Sequence, residues 1–313
     1  MRNHLINKIT ELAGQNENMM LITADLGFSV IEKFKERFPN RYINVGIAEQ
    51  NMAAIAAGLA LEGNTVFIYS IGNFPTLRCI EQIRNDICYH NANVKILAVG
   101  SGFAYGTLGM THHATEDLAI MRALPNMKVF TPCDSISAEA IAQAICKING
   151  PCYVRLERGG EPEIFSKDEK FEIGKLKEIR KGYDIAVITI GTVINEAIKA
   201  ADILREKNNY ISVYSVYSLK PIDKEQILEI AKEYKYIITV EEHQITGGLG
   251  STIAEIIAEN NMVTKIIRLG LNDEFTSVVG NQEYLREVYN IDYKNILNKI
   301  INNRRIRWII LDL

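Results

Sequence analysis

Short apolar runs alternate with amphipathic stretches along almost the whole chain. Short apolar runs bounded by turn residues are typical of buried strands, and in the first half they lie at 19–24, 42–45, 65–69, 94–99, 128–130 and 153–156. Stretches with helical periodicity lie between them, at 48–61, 76–89, 115–123 and 138–147. This alternation predicts right-handed crossover connections and a mainly parallel sheet with helices on both faces.

The same alternation begins again after a charged, turn-rich stretch at 159–182. Strands are predicted at 184–190, 210–217, 236–240 and 265–268, and helices at 193–207, 223–234 and 251–260. We therefore predict an α/β protein with two doubly wound domains and mainly parallel sheets. The predicted domains are residues 1–160 and 182–313, joined by a linker at 161–181.

Composition narrows the class of protein. The 313 residues are 47% hydrophobic and 23% charged, with a formal net charge of −3, so neither nucleic acid nor an acidic membrane is an expected partner. No apolar run approaches the ~20 residues that a membrane-spanning helix needs, and residues 1–14 do not resemble a secretory signal. The five cysteines form no Cys-x-x-Cys pair, which fits a reducing compartment. We expect a cytoplasmic protein.

The segment 44–51, NVGIAEQN, places an acid at a strand-to-helix turn. A strand is predicted to end at Val45, Gly46 allows a tight turn, and Glu49 falls in the first turn of the next helix. The carboxyl end of a parallel strand is where open α/β sheets bind ligands. An acid in a first helical turn also complements the helix dipole, so both interpretations of Glu49 stay open at this point.

The segment 70–78, SIGNFPTLR, is a second strand end that leads into a helix. Phe74 lies beside Pro75 at the helix start, where its ring can face a planar heterocycle or can belong to the core. A third such segment, 154–160, carries Arg155 and Arg158. These arginines can bind phosphate or carboxylate groups, or they can form surface ion pairs.

The loop at 100–117, GSGFAYGTLGMTHHATED, contains four glycines and two adjacent histidines. Long loops at strand ends are often functional. His112 and His113 have no further histidine or cysteine at a spacing useful for a metal, so proton transfer near a carbonyl substrate is the preferred role. Thr115 is expected to be the N-cap of the next helix, with two structural acids in its first turn.

Two segments of the second half carry weaker signals. Glycines at 247–251 form a strand-to-helix turn that matches no complete phosphate motif, and we predict a structural turn there. The segment 293–313 is predicted to be a helix followed by an apolar tail at 308–313 that docks on another surface.

Taken in order, these segments resemble the carboxyl-terminal half of a transketolase of the kind encoded as two separate subunits. At greater distance they are similar to deoxyxylulose-phosphate synthase and to the β subunit of 2-oxoacid dehydrogenases. The resemblance runs from about residue 23 to residue 290, and the segments that carry it are 24–26, 44–50, 81–85, 109–112, 122–131, 220–223 and 241–251.

The resemblance implies a pyrimidine-binding domain for thiamine diphosphate, followed by the family's carboxyl-terminal domain. Glu49 then takes the place of the glutamate that hydrogen-bonds the aminopyrimidine ring nitrogen and so activates the cofactor to attack a ketose carbonyl. Phe74 corresponds to the aromatic residue that stacks on the aminopyrimidine. Further implied residues are Ile71 and Asp25 at the cofactor, and His112 (also catalytic), His113, Arg158, Arg155 and Ser29 at the substrate.

The family's metal motif is missing from the chain. Thiamine enzymes hold the diphosphate through Mg²⁺ at a Gly-Asp-Gly motif, and this motif occurs nowhere in the 313 residues. The resemblance therefore implies a partner, the amino-terminal transketolase subunit, which carries the pyrophosphate-binding domain and the metal ligands. Symmetric closure makes an α2β2 heterotetramer the simplest assembly, and we expect the chain alone to turn over no substrate.

Several positions depart from the family pattern and change the expected substrate. Gly100 stands where the family has a histidine, and Ile71 where it has an aromatic residue. Leu108, preceded by Thr107, replaces an aspartate that recognises a sugar hydroxyl, and His113 replaces a glutamine. A buried hydroxyl without a partner costs ~1–3 kcal/mol. We predict ketol transfer between sugars or sugar phosphates, with an unusual donor or acceptor from specialised sugar biosynthesis.

Two alternatives stay open. The chain can be the β subunit of the E1 component of a 2-oxoacid dehydrogenase, with a lipoyl-domain partner, or a non-catalytic partner subunit whose site has decayed. Thr111 and His112 favour transketolase because that element of the loop binds sugars in the family. The retained Glu49 and Phe74 speak against decay.

Overall fold

The structure is a computed structural model that describes residues 1–302, so the apolar tail predicted at 308–313 lies outside the described residues. Up to residue 156 the strands are β1 (Met19–Thr23), β2 (Tyr42–Asn44), β3 (Thr65–Ile71), β4 (Val94–Val99), β5 (Lys128–Phe130) and β6 (Cys152–Leu156). The helices of this stretch are α1 (Arg2–Ala13), α2 (Glu32–Arg37), α3 (Glu49–Leu61), α4 (Ile80–Gln82), α5 (Asp117–Ala123) and α6 (Ser135–Lys147).

The second series follows the same plan. Its strands are β7 (Leu176–Arg180), β8 (Ile185–Ile190), β9 (Ser212–Val216), β10 (Ser218–Lys220), β11 (Tyr236–Gln244) and β12 (Lys265–Leu271). Its helices are α7 (Ile194–Glu206), α8 (Lys224–Glu233), α9 (Leu249–Glu259), α10 (Gln282–Val288) and α11 (Tyr293–Ile301).

The strands form two mainly parallel sheets. The first has the order β10-β5-β6-β4-β3-β1-β2 and the second the order β12-β11-β8-β9-β7. The pairs β10/β5 and β7/β9 are antiparallel, and the other neighbours are parallel. Helices between parallel strands cover both faces of such sheets, which is why β4 is apolar and buried at every position but Lys95, which is buried too. The predicted α/β class is confirmed.

Hydrophobic clusters join the two halves of the chain. Leu5 of α1 and Ile141 of α6 lie in one cluster, on one face of the first sheet. Ala53 of α3 lies in another cluster, which also contains Ile253 of α9. Because helices from both series contribute to this second cluster, the first sheet and the α9 region share one core.

The boundary between the two predicted domains differs from the sequence-based expectation. β7 lies inside the predicted linker at 161–181 and pairs with β9 at the edge of the second sheet. Its edge position leaves Lys177, Glu178 and Arg180 partly or fully exposed, and charged edge residues of this kind conceal a strand in a sequence pattern. β10 was likewise missed, and it crosses to pair with β5 of the first sheet.

Two helix predictions need correction. The helix predicted at 76–89 is a 3₁₀ turn (Leu77–Cys79) that continues into α4 and a π-helix (Ile83–Cys88). Thr115 is not the N-cap of α5, because Glu116 holds that position and accepts a hydrogen bond from the Thr115 hydroxyl at 2.9 Å. Among the described residues, no helix has the length and apolarity to cross a membrane.

Candidate active site

The loops that follow β1, β2, β3, β4 and β6 come together at one edge of the first sheet. These strands are parallel neighbours, so their carboxyl ends lie on the same side, the usual ligand-binding edge of open α/β sheets. A cavity of about 560 Å³ opens between the loop after β3 and the loop at 100–117. Phe74, Arg78 and His112 contribute to its wall.

Glu49 is the first residue of α3 and is 5% exposed. The predicted tight turn before it is present, since Gly46 has a φ of +72°, a conformation that favours glycine. Glu49 Oε1 accepts a hydrogen bond from Arg78 Nη1 at 3.0 Å. The carboxylate thus points toward the loop after β3.

Phe74 is half-buried in the loop after β3. The guanidinium carbon of Arg78 lies 3.9 Å from the centre of its ring, and the His112 imidazole contacts the ring edge with centroids 5.3 Å apart. Asn73 holds this loop against the next one by donating to the carbonyl oxygens of Thr111 and His113. We refer to Glu49, Arg78 and Phe74, with the guanidinium between carboxylate and ring, as the Glu49–Arg78–Phe74 stack.

His112 and His113 have different environments. His112 is partly exposed, and its Nδ1 lies 3.0 Å from the Thr111 hydroxyl. His113 is 2% exposed, with Nδ1 at 2.7 Å from the Thr276 hydroxyl and Nε2 at 3.1 Å from the Gly106 carbonyl. Both nitrogens of His113 are therefore used inside the protein. The predicted contact of the His113 imidazole with substrate is wrong, because the ring ties the loop to the second half of the chain.

The pKa of His112 gives the first testable prediction. Burial, then the charges of Arg78 and His113, lower the pKa of His112 from its ordinary value of 6.5. Between that lowered pKa and 6.5 the unfolded chain binds more protons, so acidification through this window destabilises the fold. We expect the His112 Hε1 resonance to titrate with a midpoint below 6.5 in an NMR pH series, with His112→Gln supplying the assignment. A midpoint at or above 6.5 contradicts this environment.

The two candidate arginines separate in the same way. Arg158 is exposed after β6, with its guanidinium 4.9 Å from the Tyr105 ring, and it lines a second cavity of about 570 Å³. Arg155 is 2% exposed, donates from Nε to Asp117 Oδ2 at 2.9 Å, and is bonded to two carbonyl oxygens. The prediction that Arg155 contacts substrate is wrong, because its guanidinium is consumed by a buried ion pair.

The remaining predicted positions lie around this edge. Asp25 and Ser29 follow β1 and are at least partly exposed, and their hydrogen bonds go to Asn44 and Glu32. Ile71 is the partly exposed last residue of β3. The structure therefore brings Glu49, Phe74 and His112 together, whereas the contacts of Asp25 and Ser29 are with neighbouring loops.

Two residues of this edge were part of the sequence motifs without a predicted role. Arg78 completes the Glu49–Arg78–Phe74 stack, and its position four residues after Phe74 is the only signal in the sequence. Tyr105 packs against Gly100, whose φ of +105° and absent side chain leave room for the ring, since a Cβ there would overlap it. Tyr105 thus fills the side-chain space of position 100, and its ring centre lies 6.4 Å from that of His112.

The glycine-rich turn at 247–251 has its amino-terminal N–H groups satisfied from within the chain. The Glu241 carboxylate accepts hydrogen bonds from the backbone N–H groups of Leu249 and Gly250 at 2.7 and 2.8 Å. This carboxylate occupies the amino terminus of α9, where a phosphate would otherwise bind. Burial raises the pKa of Glu241 to about 7. The turn is therefore structural, in agreement with the prediction.

Metal ligation has no support within residues 1–302. No group of three or more His, Cys, Asp or Glu side chains in this part of the chain could hold a metal ion.

Two family models match the chain. The model of the transketolase pyrimidine-binding domain matches residues 1–161, and the model of the transketolase C-terminal domain matches residues 174–296.

Curated relatives match over nearly their full length. A putative transketolase C-terminal section from Methanocaldococcus jannaschii is 38% identical, covering 97% of this chain and 96% of the relative. One of the two subunits of the apulose-4-phosphate transketolase of Actinobacillus succinogenes is 34% identical over 95% of this chain and 96% of the relative. A 6-deoxy-6-sulfo-D-fructose transketolase subunit from Clostridium sp. is 34% identical over 95% and 92%.

Solved structures agree with the same assignment. A split-gene transketolase, described as an inactive β4 tetramer, has a TM-score of 0.87 at 37% identity and covers 97% of this chain and 98% of that chain. A transketolase from Campylobacter jejuni has a TM-score of 0.79 at 18% identity, a likeness of fold alone, over 96% of this chain and 46% of that one. The chain therefore belongs to the transketolase family, as the carboxyl-terminal subunit of a transketolase split into two chains.

Proposed function

We propose that the chain is the catalytic carboxyl-terminal subunit of a thiamine-diphosphate-dependent, transketolase-like transferase. It moves a two-carbon ketol unit between sugars or sugar phosphates, and it requires a partner subunit that supplies the pyrophosphate-binding domain. The observation that carries the proposal is the Glu49–Arg78–Phe74 stack at the carboxyl edge of the first sheet, where a buried carboxylate and an aromatic ring enclose a flat, hydrogen-bonding group.

The residues fit the pyrimidine half of the cofactor. The space between Glu49 and Phe74 already accepts a planar group that donates a hydrogen bond to the carboxylate at 3.0 Å and stacks on the ring at 3.9 Å. An aminopyrimidine has the same shape and the same bonding pattern. The residues do not fit the metal diphosphate, since residues 1–302 contain no metal-ligating cluster and the full sequence has no Gly-Asp-Gly motif.

Each of the grouped side chains has a role that follows from its position. When bound, thiamine diphosphate supplies a nucleophilic carbon that takes up the two-carbon fragment. Glu49 holds a proton at the pyrimidine ring nitrogen, and Phe74 orients the ring by stacking. His112, neutral at pH 7 because burial lowers its pKa, exchanges a proton with the substrate's carbonyl or hydroxyl oxygen. Arg158 binds the substrate's phosphate or another anionic end.

The partner and the compartment are part of the proposal. The amino-terminal transketolase subunit would bring Mg²⁺ and the diphosphate contacts, in an α2β2 heterotetramer closed by two-fold symmetry. The naming of relatives as single subunits of two-chain enzymes and a split-gene neighbour described as an inactive β4 tetramer support this dependence. The five free cysteines support a reducing compartment, and we propose the cytoplasm.

The substrate is proposed to be a specialised sugar rather than an ordinary pentose phosphate. Two of the relatives are named for apulose 4-phosphate and 6-deoxy-6-sulfo-D-fructose. Leu108 is 53% exposed in the loop at 100–117 and offers no hydrogen-bond acceptor. The transketolase-specific domain models favour this function over the E1 β subunit, and the intact Glu49–Arg78–Phe74 stack argues against a decayed site.

Reconstitution tests the proposed function directly. The purified chain is expected to give no ketol transfer with any ketose donor, because the cofactor's diphosphate has no site on it. Co-purification with the amino-terminal subunit, thiamine diphosphate and Mg²⁺ should restore transfer, measured by chromatography of donor and acceptor sugars. Turnover by the single chain, or none by the assembled pair across sugar and sugar-phosphate donors, contradicts the proposal.

A further inference from the structure

Arg78 makes the contacts that the proposed cofactor ring needs. Its guanidinium donates to Glu49 from one edge at 3.0 Å and lies over the Phe74 ring at 3.9 Å. A guanidinium is flat, delocalised and rich in N–H donors, and it stacks on aromatic faces. It therefore reproduces both the hydrogen bond and the stacking of an aminopyrimidine in the same space.

The arrangement gives the Glu49 carboxylate a partner in the unloaded chain. Glu49 is 5% exposed on its side chain, and a buried carboxylate without a partner is costly. The Arg78 charge compensates it and fixes its direction toward the Phe74 ring. The site is thus held ready, with the acid oriented and charged, before any ligand arrives.

The contacts of Arg78 are also easily broken. Its side chain is 50% exposed, and half-exposed ion pairs and cation–π contacts contribute little. Arg78 lies in the short 3₁₀ turn Leu77–Cys79, and its long side chain reaches the cavity wall. Rotation into solvent frees the space without moving α3 or β3.

We propose that Arg78 is a positioning residue that occupies the pyrimidine site of the unloaded subunit, orients Glu49, and is displaced when the cofactor's aminopyrimidine binds. This inference rests on the proposed function. Because the ring must compete with a tethered side chain, the apparent affinity for thiamine diphosphate is reduced by the fraction of time that Arg78 occupies the site. Binding of the diphosphate on the partner subunit then helps to drive the exchange.

The test is a calorimetric titration of thiamine diphosphate with Mg²⁺ into the reconstituted two-subunit complex. Arg78→Ala is expected to bind thiamine diphosphate about three- to tenfold more tightly than the unmodified complex, since the competitor is gone. Arg78→Lys should fall between, because an ammonium group pairs with Glu49 but cannot stack as a flat group. A merely structural role for Arg78 predicts the opposite sign, a weaker affinity in the alanine variant.

A matched control separates this effect from the loss of any arginine. Arg205 is exposed on α7 and lies over the Tyr210 ring at 5.9 Å, without a carboxylate partner in that contact. Arg205→Ala removes the same charge and a cation–π contact away from the site, and we expect its affinity for thiamine diphosphate to be unchanged. Tighter binding in both variants would assign the gain to net charge and overturn the inference.

A second measurement uses the isolated full-length chain. NMR of the Arg78 Nε–H group should show a signal that shifts when Glu49→Gln removes the carboxylate charge, while the Arg205 signal stays fixed. An unchanged Arg78 signal, or equal cofactor affinity in the Arg78→Ala and unmodified complexes, overturns this inference and leaves the proposed function standing. Absence of thiamine diphosphate binding to the unmodified complex removes both.

Discussion

Glu49→Gln is expected to lower ketol transfer by the assembled enzyme by about 10²–10⁴-fold, the range that a positioned acid–base group contributes. Glutamine keeps the size of the side chain and an oxygen that can accept from Arg78 at the present 3.0 Å. It cannot hold a proton at the pyrimidine ring nitrogen. The activating step should therefore fail while the fold and the shape of the cofactor site persist.

The measurement is kcat and KM of the reconstituted complex, together with thiamine diphosphate affinity and the urea unfolding midpoint. Glu62→Gln is the matched control, because Glu62 is the exposed residue at the opposite end of the same helix α3. We expect the control to retain full activity and both variants to unfold near the unmodified midpoint. Turnover within a few-fold of normal in Glu49→Gln would remove Glu49 from the mechanism.

The sequence predicted the fold well where each element is periodic and buried. The strand predicted at 94–99 matches β4 residue for residue, and the helix predicted at 48–61 matches α3 to within one residue. β7 and β10 were missed because one is a charged edge strand and the other spans only Ser218–Lys220. Their pairing depends on distant strands, which a local pattern does not encode.

The site was predicted as a set of loops, and the structure decides which side chains face the cavity. Glu49 and Phe74 were identified with the family motif, but the Arg78 guanidinium that lies between them was not, since no local rule pairs residues 29 positions apart. His113 looked equivalent to His112 in sequence. The Thr276 hydroxyl, 163 positions away, turns its ring inward.

Arg155 illustrates the same limit with a larger energetic consequence. Alternate arginines after a strand suggested one ligand-facing row, but β6 lies between β4 and β5 in the sheet. Its residues are buried on both faces, so Arg155 requires an internal partner. Asp117, at the start of α5, provides it from 38 positions away.

Replacing Arg155 is expected to cause the largest loss of stability among the residues discussed, about 3–5 kcal/mol for Arg155→Met, as for other broken buried ion pairs. Asp117 is 2% exposed and would keep a buried, uncompensated charge, with only the Tyr153 hydroxyl donating to it at 2.6 Å. The carbonyl oxygens of Ala114 and Glu242, which the guanidinium bonds at 2.6 and 2.9 Å, would lose their donor as well.

Urea unfolding followed by circular dichroism measures this loss, with Arg158→Ala as the control three residues further along. Arg158 is exposed, so its removal should change stability by at most ~0.5 kcal/mol. The double variant Arg155→Met, Asp117→Leu should recover part of the loss, because no buried charge then remains unpaired. Because Arg155 also bonds the carbonyl of Ala114 beside His113, recovery of stability without recovery of activity would show that the ion pair holds the His112 loop in its working position. A loss below about 1 kcal/mol for Arg155→Met would instead mean that its charge is solvated.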